Sequence, residues 1–162
     1  MRKFLILAGL FVAFLITEAQ NPLFLKDDKL LNLGVGMRGY PLVSGSLDYC
    51  IVDGILETGS IGVGPFIGMG IGIGINNYKG SYLTAGARST FHYSIIDNLD
   101  TYFGVGLGLQ FSNYEYGGSE RSIFRGSGIF LGANYPLTEN ILLFGELGSG
   151  VAYLNVGITL FL

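Results

Sequence analysis

A chain of 162 residues with a formal net charge of -3, 49% hydrophobic and only 13% charged residues, has the length of one domain and too much apolar surface for a disordered one. Its Lys and Arg residues form no run, which excludes nucleic acid as a partner and leaves no basic site for an acidic substrate. A single cysteine, Cys50, rules out an internal disulfide and a cysteine metal cluster; it reads as a small strand residue, and neither a metal nor a cofactor is expected.

Arg2 and Lys3 open the chain, residues 4–16 are an unbroken apolar run, and Thr17, Glu18 and Ala19 follow. A basic start, a short apolar core and small residues three and one before a cut make a secretory signal peptide. Residues 1–19 are therefore expected to be removed, leaving a domain at 20–162 that begins with Gln20. The apolar run is shorter than the roughly 20 residues of a spanning helix, and no cysteine beside Gln20 offers a lipid anchor. After Ile16 no stretch approaches a spanning helix, yet mean hydropathy is +0.50, so the remaining apolar residues must be distributed differently.

They alternate. Along residues 83–93, Leu83, Ala85, Ala87, Ser89, Phe91 and Tyr93 share one face, while Thr84, Gly86, Arg88, Thr90 and His92 share the other. Residues 103–111 repeat the pattern, with Phe103, Val105, Leu107, Leu109 and Phe111 opposed by Gly104, Gly106, Gly108 and Gln110. Residues 152–162 repeat it again, and weaker versions run over 31–37, 43–51, 61–73 and 127–135. Strands of a soluble sandwich usually stop at about five or six residues; tilted strands of about 9 to 11 residues are what a bilayer requires, with the apolar face turned to lipid. The aliphatic face is accordingly assigned to lipid and the glycine, polar and aromatic face to a lumen.

Eight strands of about 10 residues use the length after the signal peptide, and closure is required because an open edge in lipid leaves backbone groups unpaired. The expected fold is all-β: a closed eight-stranded antiparallel up-and-down transmembrane β-barrel. So narrow a lumen explains the 27 glycines, which must face bulky inward residues such as Phe66, Tyr102, Phe144 and Tyr153.

A repeat orients the barrel. Tyr49, Ile51, Asp53, Gly54 and Ile55 recur at the same offsets as Tyr93, Ile95, Asp97, Asn98 and Leu99, and as Tyr135, Leu137, Glu139, Asn140 and Ile141. An acidic residue followed by Gly or Asn suits a tight hairpin that needs positive φ. Short turns of outer-membrane barrels lie in the periplasm, so these three turns and both termini are placed there. Connections at 40–42, 74–81, 113–122 and 148–150 then fall outside. Tyr49, Tyr93 and Tyr135 share the lipid-facing parity just before each turn and form an aromatic girdle. Glu57 breaks this scheme by sharing the lipid-facing parity of Ile61 and Val63, which calls for a bulge near residues 58–60 or an interfacial depth.

Arg88, His92 and Tyr93 leading into the Asp97 turn, then Tyr102 and the ladder Gly104, Gly106, Gly108, with Phe144, Glu146, Gly148 and the final segment 153–162, resemble the small eight-stranded outer-membrane β-barrel family, especially versions common in Bacteroidetes. The resemblance spans nearly the whole mature chain. It implies an outer-membrane location, with membrane lipid and the barrel-assembly machinery as partners, but no particular activity. One departure is the end of the chain, where the usual terminal aromatic is Phe161 followed by Leu162.

Candidate chemistry lies in the lumen. Arg88 on strand four and Glu146 on strand seven share the inward parity and are expected to form an ion pair joined by Asp48 and His92, because an unpaired charge in a narrow dry lumen costs several kcal/mol. Such a network reads as a plug that rigidifies the core, with a proton or ion path as the alternative. His92 and Ser94, two residues apart on one strand face, resemble the His and Ser of lipid A deacylase barrels, which also use a Glu. The residues after Ser94 do not continue that motif, and the periplasmic placement of His92 argues against it. A surface ligand could instead meet Tyr114, Glu115, Tyr116, Glu120 and Arg121 in the 113–122 loop. The preferred reading is a structural or general surface barrel without catalysis.

Overall fold

The computed structural model describes residues 23–39, 41–73, 79–96, 98–115 and 119–162. Alternating side chains organise them into β1 (Lys29–Met37), β2 (Pro41–Ile55), β3 (Gly59–Ile73), β4 (Lys79–Ile96), β5 (Leu99–Glu115), β6 (Ser119–Pro136), β7 (Ile141–Gly148) and β8 (Leu154–Phe161). Each strand pairs antiparallel with the next, and β8 returns to β1 from Leu30↔Phe161 to Met37↔Leu154, closing the barrel. The chain is an eight-stranded, all-antiparallel closed β-barrel.

Its polarity is the reverse of a soluble core. The outward face carries Val35, Leu107, Ile129, Leu131 and Leu147, all more than half exposed, whereas Asp48, Arg88, His92, Asp100, Asn134 and Glu146 are buried inside. The first described residues, the C-terminus and the connections after β2, β4 and β6 lie at one end, called here the terminus end. Strands β3 to β6 rise highest at the opposite, far end: β6 pairs with β5 along its length but with β7 only from Phe130 to Pro136.

Glycine makes the lumen possible at specific places. A Cβ on Gly104 would overlap the Phe130 ring, and one on Gly132 would overlap the Tyr102 ring. Phe66 faces Gly106 and Gly108, and Phe144 faces Gly34 and Gly157. Tyr153 departs from the expected inward placement. It stands outside, 58% exposed, because the chain bends before β8 begins at Leu154. In its place Val151 and Ala152 turn inward and pack with Leu42, Phe66 and Tyr82, sealing the far end. Arg38 secures this closure: Nη1 donates to the Gly150 carbonyl at 2.6 Å, and the guanidinium lies against the Tyr82 and Tyr153 rings.

The three repeats do not make three equivalent turns. Asp53 and Gly54 lie within β2, where Gly54 has φ 72° and the register shifts between Cys50, Val52 and Ile55. The turn itself falls at residues 56–58, with Leu56 and Glu57 at positive φ. Glu57 thus projects from a turn and no longer conflicts with an apolar face, and the irregularity sits at 50–55 rather than 58–60. The second connection is tight, with Asn98 at φ 62° between Ile96 and Leu99, while Asp97 lies outside the described residues. The third is a four-residue loop at 137–140, closed by the amides of Leu137 and Thr138 on the Ile141 carbonyl and by the Ile141 amide on Thr138 Oγ1.

The described parts of two expected far-end loops, residues 79–81 and residues 113–115 with 119–122, are strand. β4 begins at Lys79, β5 runs to Glu115 and β6 starts at Ser119, leaving 74–78 and 116–118 outside the described residues. Polar side chains there suggested loop, but ladder pairing satisfies the backbone whatever the side chains' polarity. The expected signal peptide, residues 1–19, also lies outside the described residues.

Candidate functional site

The middle of the lumen is built around Arg88. Its register partners on both neighbouring strands are glycines, Gly64 on β3 and Gly106 on β5, so its long side chain is free to lie along the inner wall. It reaches over β3 to Asp48 on β2, with Nε donating to Oδ1 at 2.9 Å and Nη2 to Oδ2 at 2.7 Å. This two-bond fork matches the planar guanidinium to a carboxylate. Across the lumen Nη1 donates to Glu146 Oε1 on β7 at 2.8 Å. The guanidinium also lies over the Phe130 ring, 4.9 Å from its centroid.

Around this cation the carboxylates are saturated with donors. Tyr102 Oη donates to Glu146 Oε1 at 3.0 Å, and Asn155 Nδ2 approaches Oε2 at 3.4 Å. Asn32 Nδ2 donates to Asp48 Oδ2 at 3.0 Å. These neutral donors add to the guanidinium in satisfying the oxygens of the two buried acidic side chains.

The network continues towards the terminus end. Thr159 Oγ1 donates to Asn32 Oδ1 at 2.6 Å and approaches Asn134 Oδ1 at 3.3 Å. Asn134 Nδ2 donates to Asp100 Oδ2 at 2.8 Å, and the same oxygen lies 2.8 Å from His92 Nδ1. His92 Nε2 lies 3.0 Å from Thr90 Oγ1. Polar side-chain contacts therefore run from Glu146 to His92 over seven strands, with the Thr159–Asn134 step an oxygen–oxygen approach, because the single Thr159 proton is given to Asn32.

Arg88, Asp48 and Glu146 meet directly, while His92 makes no hydrogen bond to them: it stacks on Tyr102, 4.9 Å between centroids, and its polar contacts run through Asp100, Asn134, Thr159 and Asn32. Sequence reasoning missed those four and Tyr102. Their inward parity was legible, but which of them face one another across the lumen was not. His92 and Ser94 do share the inner face, yet both His92 nitrogens are engaged by Asp100 and Thr90, so the imidazole does not activate Ser94 as a nucleophile. Among the described residues no group of three or more His, Cys, Asp or Glu side chains is arranged to hold a metal ion.

The three tyrosines occupy the outward face near the terminus end. Tyr135 is exposed, Tyr93 stacks on Phe91 with 6.4 Å between centroids, and Tyr49 donates to Asp27 Oδ1 at 2.6 Å. Above Arg88, towards the far end, a cavity of about 40 Å³ is lined by Arg38, Phe66, Thr84 and Gln110. That is room for one or two water molecules.

No protein-family model matches the sequence, and no curated protein is similar to it in sequence. Solved structures of similar shape do exist. The N-terminal β-barrel domain of Pseudomonas aeruginosa OprF superposes with a TM-score of 0.68 at 15% identity, covering 85% of this chain and 98% of that one. Neisserial surface protein A gives 0.55 at 13% identity, covering 83% and 93%. Ail, the attachment invasion locus protein of Yersinia pestis, gives 0.52 at 13% identity, covering 85% and 96%. At such identities the likeness carries the fold: this chain shares the architecture of small eight-stranded outer-membrane barrels.

Proposed function

We propose that this chain is an integral outer-membrane β-barrel with a structural or general cell-surface role, acting neither as an enzyme nor as a wide pore. The observation that carries the reading is the inverted polarity of the barrel, with an exposed aliphatic wall outside and a lumen filled across its width by Arg88, Asp48, Glu146 and their aromatic neighbours. An aliphatic wall of this kind is stable only against lipid. Residues 1–19 serve as the signal peptide, the terminus end with its short turns faces the periplasm, and Tyr49, Tyr93 and Tyr135 anchor that interface. Membrane lipid and the barrel-assembly machinery are the partners this reading requires.

Single-channel recording of the refolded protein in planar bilayers tests it. The expected result is no large, stable conductance step; a steady conductance of porin size overturns the filled-lumen reading. Recovery of the expressed protein in the soluble periplasmic fraction overturns the membrane assignment.

A further inference from the structure

Residues 23–28 precede β1 and turn back across the terminus end of the lumen. Phe24 is 1% exposed. Its ring centroid lies 4.5 Å from that of His92, and the side chain packs with Leu30, Cys50 and Phe161. The floor beneath the ring is Gly62, where a Cβ would come within 3.0 Å of it. Immediately behind lie His92, Thr90 and Asp100, the terminus-end limit of the polar contacts. Phe24 is thus the apolar layer between the polar lumen and the medium.

The rest of the segment is tied down at the surface. The Lys26 amide donates to Asp53 Oδ2 at 3.0 Å, the Asp27 amide to the Cys50 carbonyl at 3.1 Å, and the Cys50 amide to the Asp28 carbonyl at 3.0 Å. Tyr49 Oη donates to Asp27, and the Leu25 amide to Asp28 Oδ2 at 2.8 Å. All of these lie outside the pairing that closes β1 on β8, which begins at Leu30.

We propose that residues 23–28 are a hinged cork that opens and reseals the terminus end of the polar lumen while the eight-strand barrel stays folded. Burial of one aromatic ring and a few exposed hydrogen bonds hold it shut. Two features oppose closure. Asp27 sits at φ 73°, and the Ser60 hydroxyl, opposite His92, has only the soft Cys50 sulfur beside it. Water admitted by opening would satisfy the Ser60 hydroxyl, and Asp27 would relax. A seal balanced in this way belongs to the low-stability part of a structure, where local opening precedes global unfolding.

Cys50, fully buried against Phe24, is a built-in reporter. The full-length protein folded in detergent micelles is treated with N-ethylmaleimide across a series of low urea concentrations. Native labelling is expected to be slow, with a rate insensitive to urea, the signature of local opening. Phe24→Ala is expected to label on the order of 10- to 100-fold faster, as loss of a buried aromatic requires, and Asp53→Ala several-fold faster. Both should keep the heat-modifiable gel migration of a folded barrel. The cork is overturned if the folded variants label at the native rate, or if native labelling rises with urea as steeply as barrel unfolding does. Should Phe24→Ala fail to fold, Asp53→Ala and the urea dependence still settle the outcome. Because the assay needs neither a membrane location nor a conductance, its failure is separable from failure of the outer-membrane reading.

Discussion

The most consequential single position is Asp48, because it alone receives two of the guanidinium bonds of Arg88. Asp48→Ala would leave a buried cation facing only Glu146, and breaking a buried pair in this way costs about 3–5 kcal/mol. Urea unfolding of the refolded protein, followed by gel migration, is expected to show that loss. Replacing Asp48, Arg88 and Glu146 together by leucine or methionine is expected to cost far less, since an apolar core of similar volume avoids burying charge at all. If the single variant were as stable as the native barrel, the network would have no structural weight.

Among the elements, β2 carries most of the irregularity. It pairs regularly with β1, but against β3 its ladder is interrupted between Ser46↔Phe66 and Tyr49↔Val63, opposite Pro65, which has no N–H to donate. Two register shifts follow at 50–55, where Gly54 has φ 72°. A Cβ on Gly54 would meet nothing within 4 Å, so Gly54→Ala isolates the backbone cost of this conformation. A destabilisation of about 1–2 kcal/mol is expected, read from the urea midpoint; no change would mean that β2 re-registers without penalty. The extra residues in β2 carry the turn on to residues 56–58, which is why Glu57 is solvated.

At the scale of the whole molecule, two short segments outside the ladder close the barrel: residues 23–28 at the terminus end and 149–153 at the far end, with the polar network between them. The proposed orientation has a direct check. An epitope inserted at 116–118 is expected to be accessible to antibody on intact cells, and one inserted at 137–140 only after the outer membrane is opened. The reverse result would invert the topology.

Alternation along residues 83–93 and 103–111 was enough to establish strands and their faces, because a period of two depends only on local backbone geometry and on what each face touches; their number followed from chain length and the need for closure. The same parity put Arg88, Asp48, Glu146 and His92 on the inside, and a narrow lumen required buried charge to find partners. What the tertiary structure alone decided was non-local. That His92 binds Asp100 and Thr90, that Tyr153 turns out while Val151 and Ala152 turn in, and that Phe24 closes the terminus end all depend on closure distances across the lumen. The first turn moved from Asp53 to residues 56–58 for a similar reason: hairpin position follows the register of two strands, and residues inserted in β2 displaced a turn whose local signal was sound.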